Sequence, residues 1–272
     1  MEHSASVLTD LVALSEKYRP VRISGFLGLR EARRILAGFA AKPFSSTWLF
    51  HGPTGVGKTS MGMALGNEIA AQLHHIPARL CTLEMVEKVC RDCHYAPCRA
   101  DWSPARFHLC LVDECDAMTQ PAQLSFLSKL DATASPPQTI FVFTSNSIKT
   151  LEGRFVSRCR SLEFTSHGIA PELATLLEHI WAEEALGQSA PDFEQITNEA
   201  QGDVRAAINA LEILLVSERG MAGRLPCPAQ KATPTKNCVA LTSTRSISCR
   251  GMRLAEARRS CSSTRPDEGR RQ

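Results

Sequence analysis

At 272 residues, 43% hydrophobic and 22% charged, the chain has the balance of a folded protein and enough length for one large domain or two smaller ones. No run approaches the ~20 apolar residues that span a bilayer, and the opening MEHSASVLTDLVALSEKYRP lacks a basic stretch followed by an apolar core. A membrane anchor and a secretory signal are therefore not expected, and the eleven cysteines read as reduced thiols of a cytoplasmic protein. The net charge of +3 hides an asymmetry. Residues 221–272 hold eleven Lys/Arg and three Asp/Glu, net +8, leaving residues 1–220 at −5, so any charge-based attraction to nucleic acid rests on the tail.

In chain order, EARRILAGFAAK (31–42) mixes arginine and apolar residues at helical spacing, and SSTWLFHG after Pro43 is a short apolar strand ending in glycine. Residues 60–75 read as a helix with Met61, Ala64, Leu65, Ile69 and Leu73 on one face, and 81–96 as another. FHLCLVDE (107–114) is a buried strand, 119–130 a helix, TIFVF (139–143) a strand, and SLEF (161–164) a short fourth one. Apolar strands alternating with helices predict an α/β fold: a mainly parallel sheet flanked by helices, over residues 1–168. From about 170 only helical patterns follow, at 171–186 and 203–218, the latter with Val204, Ile208, Leu211 and Leu215 in one stripe and Asp203 as its N-cap. This predicts a small helical lid over 169–219. After Gly220 the periodicity vanishes, and the Ser-, Thr-, Arg- and Pro-rich stretch 220–272 is expected to be too poor in large apolar residues to fold.

Gly52-Pro53-Thr54-Gly55-Val56-Gly57-Lys58-Thr59 fits G-x4-G-K-[ST], followed by Ser60 at the start of a helix. Such glycines let backbone amides wrap a polyphosphate, the lysine reaches its terminal phosphates, and the threonine offers a hydroxyl to Mg²⁺. A strand before the loop and a helix after it strengthen the reading. Leu109-Cys110-Leu111-Val112-Asp113-Glu114 is an apolar strand tipped by two acids. One crossover after a phosphate loop, Asp113 is expected to hold the metal and Glu114 to polarise a water as general base.

Taken together, Lys17-Tyr18-Arg19-Pro20, the phosphate loop, Asp113-Glu114-Cys115-Asp116-Ala117-Met118-Thr119, Thr144-Ser145-Asn146, Ser157-Arg158-Cys159 and Gly202-Asp203-Val204-Arg205 occur in that order. The set resembles the AAA+ ATPase subunits of DNA polymerase sliding-clamp loaders, such as replication factor C small subunits and their bacterial counterparts, over about residues 14–218. The resemblance implies ATP and Mg²⁺ as cofactors, an ATPase that depends on assembly with other clamp-loader subunits, and a sliding clamp and primed DNA as partners, in the nucleoid or the nucleus. It implies that Arg158 is an arginine finger completing a neighbouring subunit's ATP site, that Asn146 and Arg205 sense the nucleotide, and that Tyr18, Arg19 and Pro20, with Phe26-Leu27-Gly28, pack around adenine. The alternative for Arg158 is a local salt bridge to Glu152 or Glu163. Rival readings are another AAA+ DNA remodeller or helicase loader, and a non-hydrolysing subunit that only lends Arg158 to a neighbour.

Cys81-x8-Cys90-x2-Cys93-x4-Cys98 suggests a metal half-site to which His94 could add, but nothing in its spacing closes a tetrahedron, and only 54 residues separate Lys58 from Asp113. Zinc is not expected there. Cys90 and Cys93 read as small buried hydrophobes on one helical face, and Cys227, Cys238, Cys249 and Cys261 have no metal spacing. The sequence departs from the resemblance after the lid, where clamp-loader subunits continue into a helical collar. A truncated or out-of-frame end, or a natural tail attracting phosphate through Arg258-Arg259 and Arg270-Arg271, are the two expectations there.

Overall fold

The structure is a computed structural model and describes residues 12–131, 134–185 and 189–222. Of the tail expected over 220–272, residues 223–272 with their four cysteines lie outside the described residues. Five strands form one parallel sheet in the order β2-β3-β4-β1-β5: β1 Ser46–His51, β2 Gln72–Pro77, β3 His108–Asp113, β4 Thr139–Ser145 and β5 Arg160–Glu163. The α/β reading holds, with a fifth strand added.

The inner strands are near-continuous apolar runs because both faces of the sheet are covered. Alternate residues divide between two cores. Trp48, Phe50, Leu109, Leu111, Ile140 and Val142 face α2 (Arg30–Ala41) and α3 (Lys58–Glu68), meeting Leu36, Met61 and Leu65. Leu49, Cys110, Val112, Phe141 and Phe143 face the other way, against Val86 of α4 (Leu83–Asp92), Phe126 of α5 (Gln120–Lys129) and Phe155 of the short α6 (Gly153–Val156). Phe126 is pinned there by edge-on contacts to Phe141 and Phe143, with centroids at 5.9 and 5.0 Å.

The helix expected over 60–75 is corrected. α3 stops at Glu68, Ala70 turns the chain with φ 51°, and Leu73 belongs to β2. β2 is an edge strand with mostly half-buried or exposed residues, so its sequence QLHHIP carries no apolar run to announce it.

The second part is helical. α7 (Ala170–Glu184), α8 (Phe193–Glu199) and α9 (Val204–Ala222) bury Leu173, Leu177, Ile180, Trp181, Ile196, Ile208, Leu211 and Leu215 in a third core, which Leu14 of α1 (Leu14–Lys17) joins. α8, not anticipated, is capped by Asp192 accepting from Gln195 N at 3.0 Å. α9 begins on Asp203, whose carboxylate accepts from Ala206 N at 2.9 Å, and it runs through Gly220 to Ala222, past the end expected near residue 218. Among the described residues no helix is long and apolar enough to cross a membrane.

Candidate nucleotide site

In a parallel sheet all carboxyl ends lie on one edge, and a ligand site forms where strand order reverses. Here β4 is inserted between β1 and β3. The loop 52–57 leaves β1, Asp113 ends β3, and Asn146 follows β4, so three stretches far apart in sequence meet at one edge.

Three of the loop's residues depend on having no side chain. Gly52, Gly55 and Gly57 all have positive φ (149°, 70° and 92°). A Cβ on Gly52 would run into the Phe164 carbonyl, and one on Gly55 into the Asp203 carboxylate at the start of α9. Gly57 is the N-cap of α3, and Lys58 is that helix's first residue. Lys58 is 8% exposed, a rare burial for an ammonium, and all three of its donor contacts are filled: Gly52 O at 2.9 Å, Pro53 O at 2.6 Å and Asn146 Oδ1 at 2.9 Å. Burial holds its pKa below the usual lysine range, an effect opposed by Asp113, Asp116 and Glu114 and reinforced by Arg205.

Across the cleft, Thr59 Oγ1 and Thr144 Oγ1 each donate to Asp113 Oδ1 at 2.5 Å. Thr144 in turn accepts from Glu114 N at 3.0 Å, which fixes a Glu114 backbone held in the left-handed region at φ 54°. Such strain in a side-chain-bearing residue persists only where its surroundings over-determine it. It turns Glu114 out of the strand register, exposed, into the same cleft as Lys58, Thr59, Ser60, Asn146 and Arg205. Asn146 N lies 3.4 Å from Asp116 Oδ1, and His75 Nε2 of the neighbouring strand is 4.0 Å from Asp113 Oδ2. The hydroxyl of Thr59 beside a carboxylate oxygen is a hard-oxygen donor set of the kind Mg²⁺ takes.

Beside this polar cleft a second, apolar one is lined by Tyr18, Arg19, Pro20, Phe26 and Leu27 from the N-terminal segment, Val56 and Ser60 from the loop side, and Leu176, Val204 and Ile208 from the helical part. Tyr18 reaches back to the helices: its hydroxyl lies 2.7 Å from Glu183 Oε2 and 2.8 Å from Glu184 Oε1. Burial first, and those two carboxylates next, push the phenol's pKa up. Arg205 lines both clefts. An apolar slot joined to a polar pocket that holds Lys58 and Arg205 opposite Thr59 and Asp113 can take a base at one end and a metal-bound polyphosphate at the other.

The expected residues Thr54 to Ser60, Asp113, Glu114, Asn146, Arg205, Tyr18, Arg19 and Pro20 thus line two adjoining clefts, while Gly52 and Pro53 line neither and meet the site only through their carbonyls on Lys58. Arg158 does not line them. It is exposed, and its local partner is neither Glu152 nor Glu163: Nε donates to Asp131 Oδ1 at 2.7 Å and Nη1 to the Arg154 carbonyl at 3.1 Å. Sequence reading missed Thr144 as the clamp on Asp113, Asp203 as the group packed on Gly55, and the helical wall Leu176–Val204–Ile208. Thr144 could have been found from its place in Thr144-Ser145-Asn146 at a strand end. The others are set by tertiary packing and leave no local signal.

Residues 48–166 match the family described as ATPase family associated with various cellular activities (AAA). The chain is 30% identical over 217 residues to replication factor C small subunit 2 of Pyrobaculum islandicum, covering 75% of this chain and 64% of that one. It is 27% identical over 201 residues to the replication factor C small subunit of Methanocella arvoryzae, covering 73% and 62%. It therefore spans less than two thirds of the length of these relatives. Among solved structures, the Thermotoga maritima RuvB Holliday junction branch migration motor superposes with a TM-score of 0.61 at 16% identity, covering 74% of this chain and 67% of that one. That likeness is one of fold: a P-loop α/β sheet flanked by helices.

Proposed function

We propose that this replication factor C small-subunit-like AAA+ chain binds and hydrolyses ATP with Mg²⁺ as one subunit of a clamp-loading assembly that acts at primed DNA. Residues 1–168 form the ATP-binding unit and 169–219 its lid. The observation that carries the reading is the meeting of buried Lys58, Thr59–Asp113 and strained Glu114 in one cleft beside an apolar slot.

Each residue's task follows from its position. Lys58, freed from the Gly52 and Pro53 carbonyls, offers its ammonium to the terminal phosphates, and the loop amides and the α3 N-terminus cradle the chain behind them. Thr59 and Asp113 would hold Mg²⁺, which when bound supplies charge neutralisation to the phosphates. Glu114 orients and deprotonates the attacking water, and Asn146 holds that water's position while hydrogen-bonded to Lys58. Arg205, common to both clefts, is suited to couple the phosphates to the lid. Arg158 serves a neighbouring chain's phosphate in trans, for which its exposure and its distance from its own cleft are the requirement. Supplied this way, an arginine finger is worth about 10³–10⁵ in rate.

The test is ATP hydrolysis per chain against protein concentration, with Lys58→Ala as the blank. Specific activity should climb with concentration, and Arg158→Ala should abolish the climb while leaving nucleotide binding intact. Activity flat and equal to the blank at every concentration, with or without a sliding clamp and primed DNA, would overturn the reading.

A further inference from the structure

Away from the nucleotide clefts, three side chains with metal-binding chemistry come together from three separate elements. These are His74 on edge strand β2, His108 at the start of β3, and Cys93, the C-cap of α4. One ligand atom of each lies within 4.8 Å of the other two. Register explains the meeting: His74 pairs with Cys110, so His74, His108 and Cys110 share one face of the sheet, the face α4 covers.

Hydrogen bonding fixes the tautomer of His108. His108 is 1% exposed, and its Nε2 lies 3.0 Å from the Tyr95 carbonyl, which can only accept. The proton is therefore on Nε2, and the lone pair of Nδ1 points at His74 Nε2, 3.1 Å away. This is the arrangement in which a backbone carbonyl fixes the tautomer of a metal-bound imidazole. His74 Nε2 therefore carries the proton of its contact with His108, and when an ion takes that proton's place the proton shifts to His74 Nδ1, leaving the Nε2 lone pair to ligate. The Cys110 thiol sits 3.5 Å from Cys93 Sγ.

We propose that His74 Nε2, His108 Nδ1 and Cys93 Sγ form a Zn²⁺ site, with water in the fourth position. Two imidazoles and a thiolate are the donor set of Zn²⁺ rather than of Mg²⁺ or Ca²⁺. Bond lengths of ~2.0–2.1 Å to nitrogen and ~2.3 Å to sulfur set tetrahedral edges of about 3.3–3.6 Å, close to the 3.1 Å already between the two histidines. The set shares only Cys93 with the Cys81, Cys90, Cys93, Cys98 pattern of the sequence and replaces sulfur with imidazole elsewhere. Bound there, the ion would tie edge strand β2 to the end of α4.

The experiment is titration of the full-length, metal-stripped chain with Co²⁺, followed by competition with Zn²⁺. A near-ultraviolet thiolate-to-cobalt band and one tightly bound ion per chain are expected, above whatever the common tail cysteines bind. His74→Gln removes a half-buried ligand without opening the core. It should weaken this ion's binding by more than the ~10–100-fold typical of losing an outer-shell partner, with the far-ultraviolet dichroism unchanged. Cys93→Ala should abolish the thiolate band, and Cys81→Ser and Cys98→Ser should leave it. The proposal is overturned if the His74→Gln and Cys93→Ala chains take up as much Co²⁺ as the parent, or if the band follows Cys81 or Cys98. In either case the pair is an ordinary histidine–histidine hydrogen bond.

Discussion

At Gly55 the loop runs against the Asp203 carboxylate at the start of α9. The Gly55 φ of 70° costs a side-chain-bearing residue about 1–2 kcal/mol, and a methyl there would also collide with the Asp203 carboxylate. Gly55→Ala should therefore lower unfolding free energy by about 2 kcal/mol or more, read from the urea midpoint. Asp203→Ala, which loses a helix cap, should cost about 1 kcal/mol. Because the second change removes the obstacle to the first, the double variant should cost less than the sum of the two, and strict additivity would deny the contact. Thiol chemistry offers a second check at this scale. Cys81 is 1% exposed, and burial pushes its thiol up to about 11, whereas Cys98 is half-buried at the rim of a surface groove. In the native chain at pH 8, maleimide should label Cys98 and spare Cys81, as read by peptide mass spectrometry. The same shift works against stability in alkali. The folded thiol keeps its proton between its unfolded value near 9 and about 11, so stability falls as pH rises through that window. The Cys81→Ala chain should show a shallower fall.

At the scale of elements, the inner strands were legible because burial on both faces writes itself as an apolar run: Leu109 to Val112 and Ile140 to Phe143 could be little else. β2 was not, since an edge strand needs only one neighbour and one covered face, and its two histidines are there for reasons a hydrophobic pattern does not express. α3 was overextended through Leu73 because Ile69 packs on the core at helical spacing from it, whereas Leu73 is exposed on a different element beyond the turn at Ala70. α8 was missed because seven residues with two large apolar anchors, Phe193 and Ile196, are held by the third core rather than by their own periodicity. The candidate site was read well wherever backbone chemistry demands a residue type, as at Gly52, Gly57, Lys58 and Asp113, and poorly where a wall is lent by another element. Phe126 ties α5 to the sheet: it is 1% exposed and meets two rings of β4 edge-on. Phe126→Ala should destabilise by about 3–5 kcal/mol, and a loss under 1 kcal/mol in urea unfolding would mean that α5 does not pack as described.

For the molecule as a whole, the division of labour is between a sheet edge that presents Lys58, Asp113, Glu114 and Asn146, and a helical part that lends the apolar cleft its far wall. Arg158 and Asp131 stand apart from both, an exposed ion pair whose contribution to stability is small in water. The insertion of β4 between β1 and β3 has a consequence for how the molecule comes into being. Strands β1 and β3 never touch, so a growing chain that already contains the loop, Lys58 and the Asp113-Glu114 pair still has nothing to hold them at their working separation. Only when residues 139–145 arrive and fill the gap does Thr144 reach Asp113 and Asn146 reach Lys58. Pairings of such long sequence separation are costly to close and slow to form. The nucleotide site is thus assembled late, by the segment that contributes least to its recognisable motifs.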